Sequence, residues 1–173
     1  TYTIQTNGLL IDEQWCRFFK SNDFLVGISL DGIKETHDEL RADNNKKGTY
    51  NRVMNSIKLL NKYEVPYNIL TVITKYNARR PQSLWNMYEK NGFDYVQLIP
   101  CLSPLNMPYS DDLYTLDPRA YAEFLKTFYD IWLNKYNQGK YISVRMFDNL
   151  VKMCSGYPAE QCGMMGFCQA QSV

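Results

Sequence analysis

The sequence lacks any apolar run of about eighteen residues, the length that a membrane-spanning helix requires. Its amino terminus lacks the basic, apolar and small-residue segments of a secretory signal. Net charge is also small, because 19 Lys and Arg stand against 18 Asp and Glu, giving +1. No general field therefore attracts nucleic acid or an acidic membrane. These absences predict a cytoplasmic protein with neither a nucleic-acid nor a membrane partner.

Histidine is almost absent as well. His37 is the only one, and no G-x-S-x-G segment accompanies it, so a histidine-based triad would rest on this residue alone. We interpret His37, next to Asp38, as a structural hydrogen-bonding residue. The alternative is a barrel hydrolase that uses His37 and Asp31.

Five cysteines are present, and their odd number argues against a disulfide framework and for reduced thiols in the cytosol. Three of them, Cys154, Cys162 and Cys168, lie close together near the end of the chain. The C-x-x-C spacing typical of zinc sites is missing, and the glycines between Cys162 and Cys168 suit an iron–sulfur cluster with further ligands from elsewhere. The alternative is a set of free thiols.

With 173 residues and 45% hydrophobic composition, the chain can bury a substantial core. Short β-branched runs alternate with longer stretches of helical periodicity, which predicts an α/β fold with a parallel sheet. A complete eight-fold barrel needs about 250 residues, so we expect a partial (β/α) barrel or an open sheet. A polar loop through Asp43 and Gly48 is expected before the helical pattern that starts at Tyr50. The three tryptophans are expected to pack in the core: Trp15, Trp85 and Trp132.

Polar residues lie at the end of the predicted strand over Leu25–Leu30 and directly after it. Ligands of parallel α/β folds bind at the carboxyl ends of strands, so Ser29 and Asp31 are candidate site residues, with Arg41 as their partner. Arginine can hold a carboxylate through two parallel hydrogen bonds. In the alternative, Asp31 only makes a turn and Arg41 pairs with Asp38 or Glu39 on the surface.

An ordered set of six segments along the whole chain resembles the anaerobic sulfatase-maturating enzymes, which are radical S-adenosylmethionine (SAM) proteins with a C-terminal SPASM domain. The segments are QTNG at 5–8, GISLDG at 27–32, HDELR at 37–41, NILTV at 68–72, CLSPL at 101–105 and CGMMGFC at 162–168.

This resemblance implies that residues 1–153 belong to a (β/α)6 barrel, from its third strand onward, and that residues 154–173 begin a SPASM segment. It also implies the activity. An iron–sulfur cluster cleaves SAM, and the resulting radical takes a hydrogen from a cysteine or serine of a sulfatase, which becomes Cα-formylglycine.

The resemblance further implies roles for single residues. Ser29 and Arg41 would hold the methionyl carboxylate or the ribose side of SAM, and Leu102 would contact SAM through its backbone. Cys162 and Cys168 would ligate an auxiliary [4Fe–4S] cluster. Asn7 would contact the substrate peptide. A flavodoxin or ferredoxin would supply electrons.

The C-x3-C-x2-C loop that binds the catalytic cluster in this family is not in the sequence. We therefore expect the chain to be an internal part of a longer enzyme, inactive alone and unable to hold a cluster stably. The edge over Tyr2–Thr6 is then expected to favour self-association. Two alternatives remain: another radical SAM/SPASM peptide-modifying enzyme, and a non-catalytic regulator of sulfatases.

Overall fold

The computed structural model describes residues 2–103 and 114–166, with only the main chain of Cys162. The strands in this part are β1 Tyr2–Thr6, β2 Phe24–Ser29, β3 Tyr67–Ile73, β4 Tyr95–Pro100 and β5 Ser143–Val144. The helices are α1 Glu13–Ser21, α2 Lys34–Leu40, α3 Tyr50–Lys62, α4 Pro81–Asn91, α5 Pro118–Asn137 and α6 Arg145–Cys154. None of these helices is both long and apolar enough to cross a bilayer.

The strands form one parallel sheet whose spatial order is the order of the chain. Crossovers between parallel strands are right-handed, so consecutive connections in this order place their helices on the same face. That is the arrangement of successive units in a (β/α) barrel and not of a doubly wound sheet. The predicted fold class is confirmed.

The core lies between the sheet and the helices. Val26 and Ile28 of β2 are fully buried, as the alternation of a strand requires. Helices α4 and α5 cover the sheet further along with large aromatic side chains, among them Trp85, Phe128 and Trp132. The prediction that Trp85 and Trp132 pack in the core is confirmed.

The same prediction for Trp15 is wrong, because 46% of this residue is exposed. Asp12 caps α1 by accepting a hydrogen bond from the Trp15 N–H at 2.9 Å. The helix then buries Cys16 and Phe19 against the sheet. Since α1 follows β1, the edge strand of the described sheet, its outer side has no neighbour that could cover Trp15.

The sheet face away from the helices is more polar. A side chain at Gly27 would meet Leu70 Cδ1 at 2.9 Å, Asn68 Oδ1 at 3.3 Å and Gln5 Cγ at 3.4 Å. Because Gly27 has no side chain, the amide side chains of Gln5 and Asn68, on the two neighbouring strands, have room on this face. Parallel sheets are normally apolar on both faces, so these amides mark this face as unusual.

Residues 33–48 are not only a loop, since α2 occupies Lys34–Leu40. The buried residues of this helix are Thr36 and His37, which are polar and give no apolar periodicity. Gly32, with a φ of 99°, provides the turn between β2 and α2. Hydrogen bonds rather than apolar packing thus hold α2 in place.

Asn149 attaches the segment after α6 to that helix. Its Oδ1 accepts hydrogen bonds from the Glu160 N–H at 2.6 Å and the Gln161 N–H at 3.2 Å. Its Nδ2 lies 2.9 Å from the sulfur of Met164. The domain boundary after residue 153 stays a prediction.

Candidate functional site

A cavity of about 280 Å³ opens at the carboxyl ends of β2, β3 and β4. A larger cavity, about 510 Å³, lies by Pro66, Asp94 and Ser143, at the amino ends of the strands. Only the first cavity lies where ligands bind in such folds. Its lining residues are Asp31, Leu40, Arg41, Val72, Thr74, Cys101 and Tyr114.

Asp31 is the buried acid of this cavity, with its side chain only 3% exposed. One carboxylate oxygen accepts a hydrogen bond from the Val72 N–H at 2.9 Å, at the end of the neighbouring strand. The other accepts from Arg41 Nε at 2.5 Å. Both oxygens are therefore engaged, as a buried carboxylate requires.

Arg41 follows α2 directly and reaches the cavity with 31% of its side chain exposed. Asp31 holds only its Nε. Among residues 2–103 and 114–166, no hydrogen-bond partner occupies the two terminal nitrogens. A guanidinium held from behind in this way can offer a pair of parallel N–H donors to a carboxylate.

His37 lies beneath this pair, fully buried. Its Nδ1 accepts a hydrogen bond from the Asp31 N–H at 3.1 Å, and its Nε2 lies 3.0 Å from Thr49 Oγ1. Burial lowers the pKa of His37 below its ordinary value. With both nitrogens engaged, His37 has the predicted structural role, and the geometry does not support a general base here.

Asp38 is occupied elsewhere. Its carboxylate accepts from Lys34 Nζ at 2.7 Å and from the Tyr50 N–H, at the start of α3, at 2.8 Å. Glu39 is exposed. The alternative in which Arg41 pairs with Asp38 or Glu39 is therefore wrong, because the partner of Arg41 is Asp31.

Comparison with known proteins matches residues 1–85, which contain both Asp31 and Arg41, to the Radical SAM superfamily model. This part of the chain is a radical SAM domain. The chain is 46% identical over 172 residues to a cysteine-type anaerobic sulfatase-maturating enzyme of Clostridium novyi, covering 99% of this chain and 46% of that protein. It is 31% identical to a serine-type enzyme of Bacteroides thetaiotaomicron, covering 95% of this chain and 43% of that one.

A solved structure of native anSMEcpe, with bound AdoMet and the Cp18Cys peptide, superimposes with a TM-score of 0.92 at 38% identity. The match covers 95% of this radical SAM chain and 46% of that structure. The chain thus spans about half the length of the curated relatives it matches.

The residues that the radical SAM resemblance points to are only partly brought together. Arg41 lines the cavity, whereas Ser29 and Leu102 do not. Ser29 is half-buried, in register with Leu70, and Leu102 is 73% exposed. Asn7 is exposed and its side chain accepts a hydrogen bond from the Leu9 N–H. The roles of Ser29, Leu102 and Asn7 stay predictions.

The metal ligands expected for a radical SAM protein fall largely outside the described residues. Cys168 lies beyond them, and only the main chain of Cys162 is described, in a short 3-10 turn over Cys162–Met164. The described side chains include no group of three or more His, Cys, Asp or Glu that could hold a metal ion. The two ligand assignments stay predictions. Cys154 is an exposed free thiol at the end of α6.

Sequence reasoning missed three residues that line this cavity or support the residues that line it. The Val72 N–H is a backbone group and has no sequence signal. Tyr114 lies in a stretch without a regular sequence pattern, and the chain order alone does not place it in the cavity. The sequence marks Thr49 only as the residue between Gly48 and the helical pattern that begins at Tyr50. Its contact with His37 is visible only in three dimensions.

Proposed function

We propose that the protein is a cysteine-type anaerobic sulfatase-maturating enzyme and that Arg41 binds the carboxylate of SAM. The observation that carries the proposal is the Arg41 guanidinium, which lines the cavity at the carboxyl ends of the strands. Buried Asp31 holds its Nε, and its terminal nitrogens have no hydrogen-bond partner among the described residues. The similarity to maturating enzymes supports the choice among radical SAM reactions. The higher identity to the cysteine-type relative, 46% against 31%, supports cysteine as the residue modified.

The residues at the cavity suit one end of SAM. Two N–H donors from Arg41 match the geometry of a carboxylate, and Asp31 keeps them in one orientation. Ser29, at the end of β2, would add a hydroxyl, and Leu102, after β4, would add a backbone group. When bound, SAM supplies the radical chemistry that oxidises the cysteine of a sulfatase to Cα-formylglycine.

We also propose the partners that this activity requires. Cys162 and Cys168 would be ligands of an auxiliary [4Fe–4S] cluster, a flavodoxin or ferredoxin would supply electrons, and Asn7 would contact the sulfatase polypeptide. The free thiols of Cys16 and Cys154 fit a reducing compartment, so we place the protein in the cytoplasm. The 173-residue chain alone would be inactive.

The test uses full-length protein purified without oxygen, supplied with SAM, a reductant and a sulfatase-derived peptide carrying either cysteine or serine. We expect iron and sulfide in the protein and the mass change of formylglycine in the cysteine peptide. Arg41→Gln should weaken SAM binding by at least tenfold, since a charge-assisted pair is lost. Arg79→Gln, at an exposed position, is the matched control.

Protein that contains no iron and leaves the peptide unchanged would contradict the proposal and support a non-catalytic regulator. Conversion of the serine peptide alone would contradict the cysteine assignment.

A further inference from the structure

His37 and Thr49 form the inner half of a hydrogen-bonded ring that closes on Arg41. The Asp31 N–H donates to His37 Nδ1 at 3.1 Å, and His37 Nε2 lies 3.0 Å from Thr49 Oγ1. The Thr49 hydroxyl donates to the Arg41 carbonyl at 2.9 Å, and Arg41 Nε returns to Asp31. Both inner residues are buried and neither lines the cavity, so they reach a ligand only through Arg41 and Asp31.

The ring assigns the imidazole proton. The single proton of the Thr49 hydroxyl is used on the Arg41 carbonyl, so the Thr49 oxygen accepts and His37 Nε2 donates. His37 Nδ1 accepts from a backbone N–H and therefore carries no proton. Neutral His37 satisfies every link of the ring.

Protonated His37 cannot satisfy them. An imidazolium has two N–H donors, so its Nδ1–H would face the Asp31 N–H, donor against donor. The Arg41 backbone N–H also donates to the His37 carbonyl at 2.7 Å, so movement of His37 would be transmitted to Arg41 through the main chain as well.

The groups around His37 favour the neutral ring on balance. Asp31, and Asp38 on α2 itself, favour the charged form, whereas Arg41 opposes it. On α3 the uncharged Tyr50 ring approaches His37 edge-on, with 5.8 Å between ring centroids. Burial is the largest influence and lowers the pKa of His37.

We propose that His37, acting through Thr49, is the positioning residue of Arg41: the neutral imidazole fixes both the Asp31 backbone and the Arg41 carbonyl, and so aims the guanidinium at the ligand carboxylate. The inference rests on the proposed function, in which that carboxylate belongs to SAM. It adds a histidine and a threonine that never touch the ligand to the residues that determine SAM affinity.

The test measures the Kd for SAM and the rate of SAM cleavage at saturating SAM in the reconstituted full-length protein, from pH 8 down through the pKa of His37. Thr49→Val removes both hydroxyl links without changing the shape of the side chain. We expect its Kd to rise about tenfold, with the saturated rate nearly unchanged. Thr49→Ser, which keeps the hydroxyl, should bind SAM as the wild type does.

His37→Asn gives the signature that a merely structural role would not produce. The wild-type Kd should rise as the pH falls through the pKa of His37, because protonation opens the ring. The His37→Asn protein should bind SAM more weakly than the wild type at pH 8 and lack that acid-side change. If Thr49→Val binds SAM as tightly as the wild type, or His37→Asn keeps the wild-type pH profile, the inference is wrong.

Failure of the proposed function gives a different result. Wild-type protein that binds no SAM, or Arg41→Gln protein that binds it normally, contradicts the role of Arg41 itself. Loss of binding in Arg41→Gln alone, with Thr49→Val and His37→Asn both normal, leaves the proposed function intact and removes only the role of His37.

Discussion

Asp31 joins Arg41 to the neighbouring strand: one carboxylate oxygen accepts from Arg41 Nε at 2.5 Å and the other from the Val72 N–H at 2.9 Å. A single buried side chain thus connects the segment after α2 to the end of β3. The position of the guanidinium depends on the sheet itself and not only on its own loop.

Replacing Asp31 by Asn should therefore destabilise the protein as well as weaken SAM binding. The amide can still accept from Val72, but the ion pair is lost, and we expect a cost of about 1–3 kcal/mol in the free energy of unfolding. Urea titration measures it. Glu39→Gln removes an acid from an exposed position of the same segment and should change nothing; equal losses in both variants would contradict the assignment.

Gly48 lies against Asp38 so closely that a Cβ would stand 2.1 Å from the Asp38 Cγ. Gly48→Ala should displace this carboxylate from the Tyr50 N–H, at the start of α3, and cost about 1–3 kcal/mol in the free energy of unfolding. Gly163→Ala is the control, because no atom of the described residues beyond its chain neighbours lies within 4 Å of its added Cβ. Thermal unfolding of the two variants compares them directly.

Asn149→Ala should release the segment after α6, since the Glu160 and Gln161 N–H groups lose their acceptor. Hydrogen exchange at these two amides should accelerate by about ten- to a hundredfold, corresponding to roughly 1–3 kcal/mol. Ser155→Ala, at the exposed end of the same helix, should leave their exchange unchanged. Unaltered exchange in Asn149→Ala would show that other contacts hold the segment.

The 173-residue chain should self-associate through β1, which has a strand neighbour on only one side within the described sheet. Sedimentation should show a mass that rises with concentration. Thr3→Lys places a charge on the exposed edge and should shift the chain towards monomer. Thr127→Lys, exposed on α5, should not. A monomer at all concentrations for the unmodified chain would contradict this expectation.

Stability should fall in mild acid because of His37. Its folded-state pKa is lowered, so below the ordinary value of 6.5 the unfolded chain takes up a proton that the folded chain resists. The loss begins near pH 6.5, is at most about 1.4 kcal/mol per pH unit, and stops at the folded-state pKa. The ring ¹⁵N signals of this only histidine report that pKa, and His37→Asn should lack this part of the acid loss.

The sheet could be predicted from the sequence because the pattern that indicates each strand is local. The apolar run before Ser29 predicts β2 within one residue at each end, and the alternation of strands with helices predicts parallel pairing. Helix α2 was missed for the opposite reason: its buried residues, Thr36 and His37, are polar, and hydrophobic periodicity does not detect them.

The partner of Arg41 shows why the candidate site could not be predicted fully from the sequence. Three acids at 31, 38 and 39 are possible partners by spacing, and only the fold decides among them. Asp38 is hydrogen-bonded to Lys34 and to the Tyr50 N–H at the start of α3, and Arg41 pairs with Asp31. The prediction that Trp15 packs in the core was wrong for a similar reason, because the exposure of this residue depends on its position beside the edge strand.

The sheet in which each strand pairs with its predecessor has a consequence for how the chain acquires its structure. Every new strand can add to the one completed just before it, with its connecting helix closing over the joint. Within the described sheet each strand pairs with the strand before it, so each step closes one crossover and no longer loop. Such a chain can build its sheet progressively from the amino end, while the ribosome is still extending it.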